Sequence, residues 1–192
     1  MPDLSSKEAL RKTAKQKRAE LSLSFKESAE KKATKNFLDN IATSSNVVIS
    51  AYYPTNNELS TIELLKQLSA RGITTCLPVV TGRSKPLVFK EWKFGDKLIE
   101  GKFFNLPEPE GKKVTPDIII LPLLAFDKEL NRLGYGGGFF DRTLEHLKAN
   151  NNSYISVGYS YKYQQIDEVP TNEHDIPLNY VITEEQIFKK IL

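Results

Sequence analysis

The spacing of apolar and polar positions predicts two helices first, then strands alternating with helices. Ser5-Ser6-Lys7-Glu8 and Ser24-Phe25-Lys26-Glu27 both place glutamate three residues after serine. In that pattern the serine accepts an orphan amide of the first turn and the glutamate reaches back to cap another. They predict helices over 6–20 and 25–41, the second turning Phe37, Leu38 and Ile41 inward. Val47–Tyr53 then reads as a buried strand, and Ser60-Thr61-Ile62-Glu63 as a third box opening a helix to Arg71. Thr74–Val80 and Leu87–Trp92 read as strands, and Asp117–Leu124 as a strongly apolar one. Phe139–Asn150 reads as a helix, Tyr154–Tyr159 and Tyr180–Thr183 as strands, and the tail as a short helix. Residues 95–113 mix Gly, Pro and charge, so they read as loop.

Strands separated by helices imply βαβ units: an α/β three-layer sandwich with a mostly parallel sheet and helices on both faces. Ligands of such sheets gather beyond the carboxyl ends of the strands. The loops after Tyr53, Leu124 and Tyr159 are therefore the ones to search.

Composition narrows the class without choosing the chemistry. At 192 residues, with 40% apolar and 27% charged side chains, the chain suits one folded domain and no disordered one. Its apolar runs are broken, as by Pro122, and too short to cross a bilayer; the first residues show no signal-peptide core. Cys76 is the sole cysteine, which excludes an internal disulfide and fits a reducing cytoplasm; in a strand-like run it reads as a core thiol. Residues 1–35 carry ten basic side chains against five acids. A solvated helical surface accounts for most of them, and no aromatic platform or known motif stands beside them to suggest nucleic acid. A basic helix lying over a phosphate-bearing small ligand stays open.

The chemistry concentrates in Arg132-Leu133-Gly134-Tyr135-Gly136-Gly137-Gly138-Phe139-Phe140-Asp141-Arg142, which holds four of the ten glycines within five positions. Residues without Cβ turn tightly and aim several backbone N–H groups into one concavity, suited to phosphate oxygens. The following helix points its positive end at the same place, and Arg132 and Arg142 bracket it with guanidinium groups. The P-loop ending and the dinucleotide fingerprint are both absent, since Phe139 and Phe140 follow the glycines. Asp141, in the first turn of the helix, suits either a dipole role or a Mg²⁺ ion held between carboxylate and phosphates. Glu58, after the first strand, is either a solvated loop acid or the acceptor for a donor-rich heterocycle. Asn172-Glu173-His174-Asp175 reads as a turn, and His146 as a surface residue on a polar helix.

Taken together, these segments resemble the 5-formyltetrahydrofolate cyclo-ligase family, whose members are also called methenyltetrahydrofolate synthetases. The likeness runs in order along nearly the whole chain. It includes Lys7 and Arg11 as Lys-x-x-x-Arg, the acidic loop Tyr53–Glu58, Trp92, Gly95-Asp96 and Pro107-Glu108-Pro109. It continues through Pro122–Asp127, the most specific run Arg132–Asp141, and Glu173-His174-Asp175. Departures are Leu123 for glycine, Gly137 for lysine and Phe139-Phe140 for two tyrosines. The resemblance implies one cyclo-ligase domain over the chain, acting as a cytoplasmic monomer on ATP and 5-formyltetrahydrofolate, with no nucleic-acid or membrane partner. It implies ATP binding by Lys7, Arg11, Arg132, Leu133, Gly134, Tyr135, Gly136, Gly137, Gly138, Phe139 and Phe140. Folate contacts would come from Tyr53, Glu58 and Tyr135–Phe139, and Mg²⁺ from Asp141 and Asp175. Arg132 and Asp141 would stabilise charge, and no side chain would act as nucleophile. With lysine absent at Gly137, neutralising phosphate falls to Lys7, Arg11, Arg132 and Mg²⁺.

Two other readings fit parts of the pattern. A sugar-phosphate isomerase or coenzyme A transferase would use the glycine loop without consuming ATP. A nucleic-acid module would use the basic helices and bind with steep salt dependence.

Overall fold

The strands predicted from apolar runs all join one eight-stranded sheet. The structure is a computed structural model and describes residues 4–41, 46–55 and 57–190. Two helices, α1 (Leu4–Ala19) and α2 (Leu23–Asn40), precede β1 (Val48–Ser50), α3 (Ile62–Ala70), β2 (Thr74–Val79) and β3 (Val88–Glu91). Short strands β4 (Leu98–Glu100), β5 (Pro107–Pro109) and β6 (Lys113–Val114) lead to β7 (Ile118–Pro122), β8 (Ala125–Phe126) and β9 (Arg132–Leu133). Helix α4 (Phe139–Ala149), β10 (Ile155–Tyr159), β11 (Tyr180–Ile182) and β12 (Ile187–Lys189) complete the order.

The sheet runs β12-β11-β10-β7-β1-β2-β3-β6. Its centre, β11 to β2, is parallel, and both edges are antiparallel. Side chains of successive strand residues point to opposite faces, and β7 shows it directly. Ile118 and Ile120 pack with Phe37 of α2 and Leu64, Leu65 and Leu68 of α3. Ile119 and Leu121 pack with Leu144 and Leu147 of α4. Four consecutive buried aliphatics are what a strand covered on both faces requires. Among the described residues no helix is long and apolar enough to cross a membrane.

Several local expectations give way to tertiary contacts. The first strand is shorter than Val47–Tyr53, because only Val48–Ser50 keep the ladder with β2 and β7. Residues 95–113 are not all loop: β4 pairs with β5, and β6 extends the sheet edge, where Pro107 and Pro109 are tolerated because the β4–β5 ladder is only two strands wide. The tail is a strand, not a helix. The Thr183 hydroxyl oxygen accepts the amides of Glu185 and Gln186, turning the chain back so that Ile187–Lys189 pairs with β11. Ile191 and Leu192 lie outside the described residues.

The caps shift as well. Helix α1 already includes Leu4, and the side chain of Ser5 lies outside the described residues. Ser22, not Ser24, caps α2, its hydroxyl accepting the Phe25 amide at 3.2 Å. At α3 the Ser60–Glu63 box does not close: Glu63 turns to the Gln67 side chain. Its amide is capped instead by Glu30 of α2 at 2.9 Å, which also accepts from the Ser60 hydroxyl. One carboxylate therefore caps α3 and clamps two helices. Glu30→Ala should lower the unfolding free energy by about 1–2 kcal/mol, the usual cost of losing a cap, and urea denaturation followed by circular dichroism measures it.

Candidate active site

The sheet order creates a crevice. From β1 the chain leaves through α3 to β2, and from the adjacent β7 it leaves through α4 to β10. Neighbouring parallel strands whose connections depart in opposite directions leave a gap between their loops, where ligands of open α/β sheets bind. Here those loops carry Glu58 and the glycine-rich segment.

Asp127 builds the approach to that segment. Buried, it accepts the amides of Glu129, Asn131 and Val169 and the Asn131 side chain, each at 3.0 Å. That forces a tight hairpin in which Leu130 takes φ 62° and β8 pairs with β9. The hairpin delivers Arg132, 9% exposed, to the base of the site and Leu133 into an apolar cluster with Leu124 and Val169. Leu133 can therefore offer a ligand only its backbone. Beyond it Gly136 and Gly138 take φ 98° and 64°, and Gly138 leads into α4 without any side-chain cap.

Helix α1 lies along this loop. Arg11 Nε donates to the Gly134 carbonyl at 3.0 Å, and its guanidinium sits against Gly136. Lys7, 8% exposed, pairs with Asp175 at 2.7 Å. Arg132 pairs with Asp141 at 2.5 Å and donates to the Ile176 carbonyl. Asp141 also accepts the Ile176 amide, weakly, at 3.4 Å. The two carboxylates thus converge on one short segment, each beside a basic partner. Asp175 additionally accepts the Asn172 amide, so the expected turn at 172–175 is real and serves to aim its last residue.

Glu58 is brought into the same crevice. One carboxylate oxygen accepts the Tyr135 hydroxyl, and the other accepts the Thr55 amide at 2.7 Å and the Thr55 hydroxyl at 3.2 Å. Asn56 lies outside the described residues. Burial first, then the Glu58 carboxylate, push the Tyr135 hydroxyl well above the ordinary tyrosine value, with Arg18 pulling the other way. It therefore stays protonated and donates to Glu58. Arg18 Nη1 donates to the same hydroxyl at 2.8 Å.

The remaining expected residues divide. Tyr53 stands outside this chain of bonds, exposed and edge-on to Trp92 at 6.4 Å between ring centres. Phe139 is on the site side, edge-on to the exposed Phe104 at 5.7 Å, whereas Phe140 packs partly buried against the α4 core cluster. Arg142 does not reach outward as expected: it donates to the carbonyls of Gly137 and Arg83, where the crossing loops need a donor. His146 and His174 are exposed. Cys76 is buried, its thiol pushed up to about 12 chiefly by desolvation, which leaves it inert as a nucleophile. Sequence reasoning missed the contact of Phe104 with Phe139, because Phe104 lies in a Gly- and Pro-containing segment read as loop. It also missed Arg18, although Lys7, Arg11, Ala14 and Arg18 fall on one face at 3.6 residues per turn.

A model of the 5-formyltetrahydrofolate cyclo-ligase family matches residues 3–184. A 5-formyltetrahydrofolate cyclo-ligase of Haemophilus influenzae is 35% identical over 167 residues, covering 84% of this chain and 88% of the relative. One of Mycolicibacterium smegmatis is 31% identical over 186 residues, 93% of each chain. The NMR structure of Aquifex aeolicus 5,10-methenyltetrahydrofolate synthetase superposes with a TM-score of 0.80 at 27% identity, covering 95% of this chain and 92% of that one.

The loop geometry makes its own prediction. A side chain at Gly138 would adopt an unfavourable left-handed conformation, and its Cβ would lie 2.7 Å from an Arg142 nitrogen. Gly138→Val should preserve the far-ultraviolet circular dichroism but weaken ATP binding about tenfold or more, from a left-handed penalty of about 1–2 kcal/mol plus displaced amides. Calorimetric titration with ATP measures it.

Proposed function

The chain belongs to the 5-formyltetrahydrofolate cyclo-ligase family, and on that footing we propose that it converts 5-formyltetrahydrofolate to 5,10-methenyltetrahydrofolate while splitting ATP to ADP and phosphate. The observation that carries the reading is the bond between Glu58, after β1, and Tyr135, inside the glycine loop after β7. It joins an acceptor for an N–H donor of a heterocycle to a loop shaped for phosphates. We read the protein as a cytoplasmic monomer acting on these two small molecules.

In this reading Lys7, Arg11 and Arg132 carry the positive charge that faces the triphosphate, with the backbone amides of residues 134–140. Tyr53, Glu58 and Tyr135–Phe139 bind the folate, the carboxylate of Glu58 receiving an N–H donor of the pterin. Mg²⁺ would be held by Asp141 and Asp175, residues joined through the weak bond of the Ile176 amide to Asp141; no group of three or more His, Cys, Asp or Glu gathers among the described residues, so phosphate oxygens would supply its other ligands. One or two carboxylates plus phosphate oxygens are what this ion ordinarily takes. The Lys7–Asp175 and Arg132–Asp141 pairs suit the same exchange, since Mg-ATP brings a cation for the carboxylates and phosphates for the basic groups. When bound, Mg²⁺ supplies screening of the phosphate charge.

A formamide carbonyl is a poor electrophile, and its oxygen is a poor leaving group. Attack by the formyl oxygen on the γ-phosphorus, with ADP leaving, creates an activated iminium-like carbon. N10 of the folate then attacks that carbon, losing its proton. Phosphate departs with the former formyl oxygen and leaves the methenyl bridge. The protein positions the two substrates and stabilises charge, as in phosphoryl transfer generally. This route asks for no protein nucleophile.

Asp141→Asn should retain the fold, lower kcat by about tenfold or more for one weakened charge-stabilising contact, and raise the Mg²⁺ concentration needed for half-maximal rate. Mg²⁺ titration of the steady-state rate checks it, and an unchanged requirement would remove Asp141 from the metal site. The route of the oxygen is tested with substrate carrying ¹⁸O in the formyl group. Mass spectrometry should find one heavy oxygen in each released phosphate. Unlabelled phosphate accompanying full product formation would show that water, not the formyl group, accepts the phosphoryl group.

A further inference from the structure

Arg18 is the largest side chain among the described residues with less than 2% exposure, and it lies between α1 and the crevice. Its surroundings do not look like those of a residue kept for stability. It forms no ion pair among the described residues, and its Nε and Nη2 are buried with no hydrogen-bond partner there. Buried cations normally find a carboxylate, and buried donors an acceptor, because desolvation otherwise goes uncompensated. The polar bond that the Arg18 side chain does make runs to the Tyr135 hydroxyl, with its guanidinium 5.6 Å from the centre of that ring. Lys15 stands 5.8 Å from the same ring centre. The phenol in turn donates its hydrogen bond to Glu58.

We infer that Arg18 is a positioning residue of the folate subsite: acting through Tyr135, it fixes the Glu58 carboxylate that receives the pterin. The inference rests on the substrate reading above and adds a role that neither the charge nor the location of Arg18 alone declares. A tyrosine hydroxyl can rotate its proton to several acceptors. With Arg18 donating to its oxygen, the Tyr135 proton is left to Glu58. The Thr55 amide and hydroxyl hold the other carboxylate oxygen, so the carboxylate plane is set from both sides before substrate arrives. The cation behind the phenol also balances the Glu58 charge without contacting it, which leaves the one lone pair that Tyr135 and Thr55 do not occupy for the ligand. Lys7, Arg11 and Arg18 thus share one face of α1, the first two toward the glycine loop and Asp175 and the third toward the heterocycle.

The test is a double-mutant cycle in the whole protein, read by calorimetric binding of 5-formyltetrahydrofolate and by separate KM values for folate and ATP. Arg18→Met and Tyr135→Phe should each weaken folate binding about tenfold, the scale of a lost hydrogen bond in a charged network, and leave the KM for ATP within about twofold. The double variant should be no worse than the worse single one, because both changes cut the same chain. Arg18→Lys, which keeps a charge and a donor but not the planar fork, should recover part of the loss. If Arg18→Met does not fold, Tyr135→Phe and Arg18→Lys decide: folate affinity must fall in both while the KM for ATP holds. Variants that melt at lower temperature yet bind folate as the unaltered protein does would overturn the inference, leaving Arg18 a structural residue. Additive losses in the cycle would overturn it too. Failure of the unaltered protein to bind 5-formyltetrahydrofolate would be a different result: it would overturn the substrate reading and this inference with it.

Discussion

The structure depends on β7 being covered on both faces while it pairs in parallel with β1 on one side and β10 on the other. Ile118–Leu121 leave no polar side chain for either face, so helices must pack on both, α2 and α3 on one and α4 on the other. Each of those aliphatic side chains contributes about 1.5–3 kcal/mol when fully buried, more than any surface ion pair in the molecule could offset. Once that layer order is set, the connections from β1 and β7 must diverge, and the crevice between their loops follows from topology. The site is placed where the fold cannot close itself.

What fills the crevice is a set of charges arranged to be nearly neutral as a group. Lys7 with Asp175 and Arg132 with Asp141 are largely buried pairs. Removing one member of such a pair would strand its partner in a poorly hydrated place, which costs far more than an exposed ion pair contributes. The first pair ties α1 to the segment before β11, and the second closes the glycine segment on itself. Helix α1 is held to the body largely by such polar contacts, since its apolar contribution is small, Leu10 and Ala14 packing beside Tyr135 and Leu133. Lys7, Arg11 and Arg18 turn from α1 toward the glycine loop and Asp175, while Lys12, Lys15 and Lys17 stay exposed as the solvated surface expected of them.

Carboxylates do the equivalent work in the scaffold. Asp127 gathers four donors and turns the chain between β8 and β9, which sets where Arg132 emerges. Glu30 caps a helix to which it does not belong, and Asp117 receives the amide of Val48 at the start of β1. Each satisfies backbone amides that would otherwise be orphaned. In each case the bond spans elements far apart in sequence or turns the chain on itself.

The element types, the parallel character of the sheet and the position of the glycine loop were legible in the order of residues alone. Those rest on local periodicity, on apolar runs such as Ile118–Leu121, and on glycines whose freedom to take φ 98° and 64° is a property of the residue itself. The family was legible too, because the motifs from Lys7 to Asp175 keep their order along the chain. Other features waited on the folded molecule: the tail pairs with β11, residues 98–114 form short strands, and Glu30 replaces the Ser60 box at α3. Folding likewise turned Arg142 onto loop carbonyls, sent Phe140 to the core and drew Arg18 beneath Tyr135. The physical reason is common to all of these. A short strand, a polar cap or a long basic side chain has several local arrangements of nearly equal free energy. The choice among them falls to whichever distant donor, acceptor or ring the fold brings within reach.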